Sequence, residues 1–295
     1  MMNPAHPAGD RRGPIAALLL NACVWGLSWW PLRELDRLGL HSLWSTALVF
    51  AIGSLVLAAW RPESLKRIAR HRELWWLGLA SGLTNAAFNW GVSIGEVMRV
   101  VLLFYLMPVW AILLARWLLD EPITSDSLLR ALLAMAGAAT VLWQPGMGIP
   151  VPASLGDWLG VAGGLGFAFV NVLLRRQAQE PAGARALAMS IGSMLVPAAF
   201  AILLARSGEI AALPGSSTGW LAGVLALSAV MLVANLMLQY GAARLPSRIT
   251  AIVMLSEVLV AAVSSVALGG EALSLPLLAG GSLIILASVL AARSG

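Results

Sequence analysis

Long apolar runs separated by short polar segments dominate this chain. Bounded by charge or by Gly and Pro, the runs fall at 14–32, 41–60, 74–92, 97–119, 127–144, 156–174, 185–205, 219–240, 247–268 and 273–292. Each is close to the about 20 residues that a helix needs to cross the hydrocarbon core of a bilayer. Backbone polar groups cannot stay unpaired in lipid, and the period-two alternation of a membrane barrel is absent. The pattern therefore predicts an all-α membrane protein with ten transmembrane helices. Most tryptophans, among them Trp44, Trp60, Trp75, Trp76, Trp117 and Trp158, fall near run ends, where amphipathic rings favour the interface. Trp25 and Trp110 sit deeper.

Composition agrees. Of 295 residues, 59% are apolar and 11% charged, with a mean hydropathy of +0.84. That excludes a soluble enzyme, a disordered chain and a nucleic-acid binder, although the pI is about 10.6. The basic residues are spread among loops, not gathered in a patch. With the N-terminus in the cytoplasm, 15 of the 19 fall in inner segments and 4, Arg33, Arg37, Arg99 and Arg206, in outer ones. The positive-inside rule then puts both termini in the cytoplasm, as an even number of spans requires. Arg11 and Arg12 precede the first run as in a twin-arginine signal, but no small-residue cleavage site follows, so the run reads as a retained helix. Short loops, the near-absence of lysine and the lack of a transit peptide fit a multi-pass protein of a bacterial inner membrane. Cys23 is alone and His6, His41 and His71 are scattered, so neither a metal site nor any cofactor is expected.

The sequence repeats at an offset of 150. Asn21 meets Asn171, Pro31 meets Pro181, Asn85 meets Asn235, Asn89 meets Gln239, Trp90-Gly91 meets Tyr240-Gly241, and Glu121 meets Glu271. Several scarce polar residues in one ungapped register define two repeats, 14–144 and 156–292, joined by an outer linker over 144–152. Five spans is an odd number, so the second repeat enters the membrane from the opposite side. Two inverted five-helix repeats are a transporter signature, with the binding site near the midplane where they meet.

Polar positions form stripes. Ser81, Asn85, Asn89 and Ser93 lie four apart on one face of the third span; Ser228, Asn235 and Gln239 share a face of the eighth. Asn21, Trp25 and Ser28 share a face of the first span, and Phe167 and Asn171 one of the sixth. Amides are costly in hydrocarbon, so each stripe faces other helices or water. Interhelical hydrogen bonding and a polar path through the protein both satisfy that requirement. Gly78-x-x-x-Gly82, Gly160-x-x-x-Gly164 and Gly219-x-x-x-Gly223 read as close-packing motifs. Glu257 lies about 15 Å along the ninth span, near the midplane, a place for an ammonium partner, a proton carrier or a protonated structural group. Arg99 either attracts a carboxylate or snorkels to the interface. Trp25, Tyr105, Met107, Trp110 and Phe167 are candidates to line an adaptable cavity, with ordinary packing the alternative. Pro108 is expected to kink the fourth span.

One enzymatic alternative deserves weighing. Gly91-Val92-Ser93-Ile94-Gly95 matches G-x-S-x-G, with His41 on the same membrane side, as an intramembrane serine hydrolase requires. Its repeat partner Gly241-Ala242-Ala243-Arg244-Leu245 has no serine, and glycines at helix ends explain the motif more simply. No ATP-binding loop is present, so any transport is downhill or ion-coupled.

Three stretches, Trp25-Gly26-Leu27-Ser28, Tyr105-Leu106-Met107-Pro108-Val109-Trp110 and Leu119-Asp120-Glu121-Pro122, together with Leu255-Ser256-Glu257-Val258 and Leu268-Gly269-Gly270-Glu271, resemble the drug/metabolite transporter superfamily in its EamA-type ten-helix group. Within it the chain is similar to the YddG-type exporters of amino acids, with Met107 where those often hold Trp. The resemblance implies two inverted halves around a central cavity lined largely by the first, third, fourth, sixth, eighth and ninth spans, and export from the cytoplasm. The expectation is an alternating-access exporter of small polar metabolites, foremost amino acids, working as a monomer in the lipid bilayer and not an enzyme. Its expected substrate contacts are Asn21, Trp25, Asn85, Asn89, Tyr105, Met107, Phe167, Asn171, Asn235, Gln239 and Glu257. Amides both donate and accept, which suits a zwitterion. An exporter of cationic drugs or nucleotide-type metabolites is the rival reading.

Overall fold

The computed structural model describes residues 11–94, 97–142, 152–215, 218–269 and 275–293. His6, Gly95, Glu96, Glu271 and all of the predicted linker but Pro152 lie outside them. The described residues form helices only: α1 (Arg12–Leu27), α2 (Trp29–Arg37), α3 (Ser42–Trp60), α4 (Glu63–Arg70), α5 (Arg72–Ile94), α6 (Val97–Phe104), α7 (Met107–Leu119), α8 (Ser125–Leu142), α9 (Leu155–Arg176), α10 (Ala182–Ser207), α11 (Thr218–Ala242), α12 (Ser247–Met254), α13 (Ser256–Gly269) and α14 (Leu275–Arg293). Six segments among them are long and apolar enough to cross a membrane: Arg12–Arg37, Ser42–Trp60, Arg99–Leu119, Leu155–Arg176, Ala182–Ser207 and Gly219–Ala242.

Helix ends follow local chemistry. Ser154 and Asp157 form a reciprocal capping box that starts α9. His41 caps α3, its Nδ1 accepting from the Leu43 N–H at 3.2 Å. Gly208, with φ +80°, closes α10 in the left-handed conformation that glycine adopts without strain.

The structure departs from the expected spans in three places. The fourth is interrupted at Tyr105-Leu106, because the Pro108 ring clashes with the carbonyl four residues earlier, that of Phe104, and offers it no N–H. The ninth is interrupted at Leu255 without a proline. At both breaks the backbone tightens instead of opening: Leu106 N–H donates to Leu103 O at 3.2 Å and Leu255 N–H to Ile252 O at 3.1 Å. The first run continues beyond 32 as α2, and α4 is an unanticipated amphipathic helix whose Ser64 and Ile68 face the protein.

The two interruptions stand in the same register. α6 and α12 end at an offset of 150, at Phe104 and Met254. The most extensive helix pairings each join a helix before residue 143 to one after 154: α5 with α10 and α9, α8 with α14, α3 with α10, and α1 with α11 and α13. Small residues permit the closest of these. A Cβ on Gly78 would lie 2.7 Å from the Ala188 carbonyl, and Gly82 and Gly192 press each other's helix in the same way. Gly160 and Gly164 let α9 lie against the α6 backbone at Val100 and Phe104. Gly219 and Gly223 meet only the side chains of Leu38 and Leu35, so that pair is not a backbone contact.

Candidate functional site

α5 winds past the centre of the molecule with Ser81, Thr84, Asn85 and Phe88 on one face, at spacings of three and four. α11 does the same with Met231, Asn235 and Leu238, which are Ser81, Asn85 and Phe88 shifted by 150. Between them lies a cavity of about 720 Å³, its open mouth included. α1 adds Trp25, α3 Phe50, α9 Phe167 and Val170, and α10 Met189. The interrupted helices close it: Phe104 ends α6, Met254 ends α12, and Glu257 stands in the first turn of α13. Gly26 makes that last approach possible, since a Cβ there would lie 2.7 Å from the Glu257 carbonyl and 2.8 Å from Val260 Cβ.

One wall is aromatic. The Phe104 ring centroid is 4.8 Å from Phe88 and 5.9 Å from Phe167. Another is polar and firmly held by α10. Asn85 Nδ2 donates to Ser193 Oγ and to Ser81 O, at 2.9 and 3.0 Å. Asn235 Nδ2 donates to Ser190 Oγ at 3.2 Å and to Ala186 O at 3.4 Å. Ser81 and Ser193 hydroxyls are 2.9 Å apart. The Tyr105 hydroxyl hydrogen-bonds the Glu257 carboxyl from outside the lining.

Of the eleven expected contacts, Trp25, Asn85, Phe167, Asn235 and Glu257 line this cavity. The other six do not. Asn21 Nδ2 donates to Ala234 O at 2.7 Å, tying α1 to α11. Asn89 Nδ2 donates to Thr46 Oγ1 at 2.6 Å, on the α3 side. Gln239 accepts from Arg185 Nε at 3.0 Å and donates to Met189 Sδ at 2.8 Å. Tyr105 and Met107 are buried in the core around the fourth-span break, and Asn171 is fully buried with neither amide atom hydrogen-bonded. Sequence reasoning missed Phe50, Phe88, Phe104 and the methionines Met189, Met231 and Met254. Phe88 and Met231 carried a usable signal, since each continues the polar face of its helix by helical spacing.

Other expected roles have structural explanations. Arg99 Nη2 donates to Asp157 Oδ2 at 3.1 Å, and both side chains are largely buried. Arg99 thus braces α6 against the α9 cap. His41 serves as a helix cap; burial lowers its pKa, which favours the neutral form that can accept. Gly91 lies 3.1–3.3 Å, at a built Cβ, from Val100, Leu159 and Gly156 O, so close packing accounts for it. Trp110 packs with Ala111, Ala168 and Ala251 at a junction away from the cavity.

At one end of the bundle, charged groups bind the loops. Arg248 Nη1 lies 3.3 Å from Glu121 Oε2, and burial raises the Glu121 pKa against that pairing. Arg67 donates to both Glu180 oxygens, at 2.7 and 3.2 Å, holding that carboxyl below the usual carboxylate range and docking α4. Arg185, 2% exposed, donates through Nη1 to the carbonyls of Gln177, Ala178 and Glu180 at 2.9, 3.0 and 2.7 Å. Among the described residues no cluster of metal-ligating side chains is present.

Residues 12–143 match the model of the EamA-like transporter family. A solved crystal structure is similar in fold over 96% of this chain and 98% of its own, with a TM-score of 0.77 and 20% sequence identity. The search of curated proteins found no match.

Proposed function

We propose that this chain is an alternating-access exporter of small polar metabolites, of the amino-acid class, in the inner membrane of a bacterium. The observation that carries the reading is the central cavity, built jointly by helices from both halves of the sequence and closed where two helices are interrupted. The match of the first half to a transporter family supports moving a small molecule, not transforming it.

In this reading the chain crosses the bilayer ten times, with α1 and α2, α6 and α7, and α12 and α13 each making one crossing and α4 lying at the surface. The shared register of α6 with α12 supports two repeats over 14–144 and 156–292. So does the exchange of partners: α1 pairs with α13 as α9 pairs with α7, and α5 with α10 as α11 with α3. An odd number of crossings per repeat makes them inverted, and both termini cytoplasmic. Two packings of similar halves have similar energies, which is what opening to each side in turn requires.

The substrate's amine is assigned to Glu257 and to the side-chain oxygens of Asn85 and Asn235, and its apolar part to Trp25 and Phe167. Asn21, Asn89, Tyr105, Met107, Asn171 and Gln239 then act behind this wall, positioning it. The test is uptake of labelled amino acids by proteoliposomes, with and without an imposed pH gradient. Saturable uptake that the gradient stimulates, and that Glu257→Gln uncouples, is expected if Glu257 also carries the coupling proton. Saturable uptake that is indifferent to the gradient but weakened by Glu257→Gln leaves Glu257 as a binding group, and uptake indifferent to both makes it a structural group. Absence of uptake for every metabolite tried, in liposomes holding folded protein, refutes the reading.

A further inference from the structure

We infer that the central cavity recognises an amine with an apolar or aromatic body and does not recognise a carboxylate. Decarboxylated or esterified amino acids are then better ligands than the free amino acids. The inference rests on the transport reading above and narrows its substrate class.

The argument is a count of donors and charges. Among the fifteen lining residues that the structure describes, Glu257 is the only one with an ionisable acid or base, and none is Lys, Arg or His. An amine finds a charge partner there; a carboxylate does not. The neutral polar groups do not make up the difference. Both hydrogens of the Asn85 amide are committed, to Ser193 and Ser81, and both of Asn235, to Ser190 and Ala186. The Thr84 hydroxyl donates to Ala80 O at 2.7 Å. The Ser81 hydroxyl is engaged with Ser193. An amide whose two hydrogens are spent has only its oxygen to offer. Apart from the Trp25 indole N–H and the Ser81 hydroxyl, which can either donate to Ser193 or accept from it, the described lining therefore presents acceptors, and two neutral donors do not offset the desolvation of a carboxylate.

The remaining surface suits a cation as well. Trp25, Phe88, Phe104 and Phe167 supply ring faces that attract ammonium groups, and methionines fill the rest with adaptable, polarisable volume. The one feature that favours an anion is the N-terminus of α13, and Glu257 occupies that first turn itself. Arg99 and Arg185, which would be the obvious carboxylate partners, are held by Asp157 and by the 177–180 loop. At an offset of 150 the position matching Glu257 is Met107, so the site has one ionisable end and not two.

The experiment is calorimetric titration of the purified full-length protein with four compounds of one skeleton. These are 2-phenylethylamine, phenylalanine methyl ester, phenylalanine and 3-phenylpropionate. The amine and the ester are expected to bind at least about tenfold more tightly than phenylalanine, with no binding of the acid, because an unpaired buried charge is the dominant penalty. Glu257→Gln is expected to erase the advantage of the amine. The ligand series in the unaltered protein stands alone should that variant fail to fold. Phenylalanine binding as tightly as its ester overturns the inference and leaves the exporter reading intact. So does a transported amino acid in a protein that binds none of the four. Failure to bind these four together with failure to transport any metabolite removes both.

Discussion

Replacing Gly192 by alanine adds one methyl group at the tightest glycine contact among the described residues. A Cβ there would overlap the Gly78 carbonyl and lie 2.8 Å from Gly78 Cα, with helix backbone, not a flexible side chain, as the obstacle. α5 and α10 must separate by about 1 Å, a gap that forfeits up to half of the dispersion energy of the atoms lining it. Strain of this kind costs about 1–3 kcal/mol. Ser193 is the next residue, and it anchors both Ser81 and Asn85 at 2.9 Å. Losing two interhelical hydrogen bonds adds about 0.6 kcal/mol each. The sum is a destabilisation of about 2–4 kcal/mol, a fall of about 5–10 °C in melting temperature for a chain of this size. Gly53→Ala is the control. It also lies inside a helix, but its Cβ would meet only Ser190 Oγ, at 3.9 Å. Removing a helix-interior glycine without a clash stabilises by about 0.5–1 kcal/mol. Thermal unfolding in detergent, followed through the 13 tryptophans, reads both variants on one scale. If Gly192→Ala melts within about 1 °C of the parent, or moves in the same direction as Gly53→Ala, the close-contact reasoning is wrong.

Two further outcomes follow from the charged end of the bundle. Arg185→Leu leaves three loop carbonyls and the Gln239 side chain without their donor, and is expected to destabilise the protein by about 1–3 kcal/mol for each acceptor that water does not reach. Arg185→Lys keeps the charge but loses the fork and should fall between leucine and the parent in the same unfolding assay; equal stability of all three would contradict it. Glu180 is held below the usual carboxylate range chiefly by its hydrogen bonds to Arg67, so the docking of α4 that it supplies is present at neutral pH. That contribution is lost as pH falls through the depressed value, below the usual carboxylate range. A spin label at the exposed Lys66 should become more mobile as an acid titration from pH 7 passes through that depressed value, and Glu180→Gln should produce that mobility at pH 7. A label already mobile at pH 7 in the parent would refute the docking.

The apolar runs located the helices because membrane-length hydrophobicity is a property of local sequence. The offset of 150 held the register of α6 with α12 for the same reason. Within the site, legibility stopped where geometry depends on neighbours. A four-residue stripe turns about 40° per step around a helix, so Asn85 faces the cavity while Asn89, one step on, faces Thr46 of α3. Gln239 likewise turns from Asn235 toward Arg185. Phe50 and Phe104 were invisible because a phenylalanine facing a cavity and one facing a helix have the same local pattern. Arg99 finds Asp157 58 residues away, and no spacing rule reaches that far. Glu257 was legible because a lone carboxyl deep in an apolar run needs a reason to be there.

The pairing of early helices with late ones sets a timetable for synthesis. α1 has its most extensive contacts with α11 and α13, and α5 with α9 and α10. About 200 residues separate α1 from α11, so at 5–20 residues per second it leaves the ribosome about 10–40 s before its main partner exists. Throughout that interval the Asn21 amide meets lipid or the insertion machinery, and for about half of it so do the glycine face of α5 and the Asn85 amide, whose α10 partners follow about 100 residues later. Ribosome pausing after the first half would lengthen that exposure, and a chain truncated near residue 150 would be left with its principal interfaces unmade.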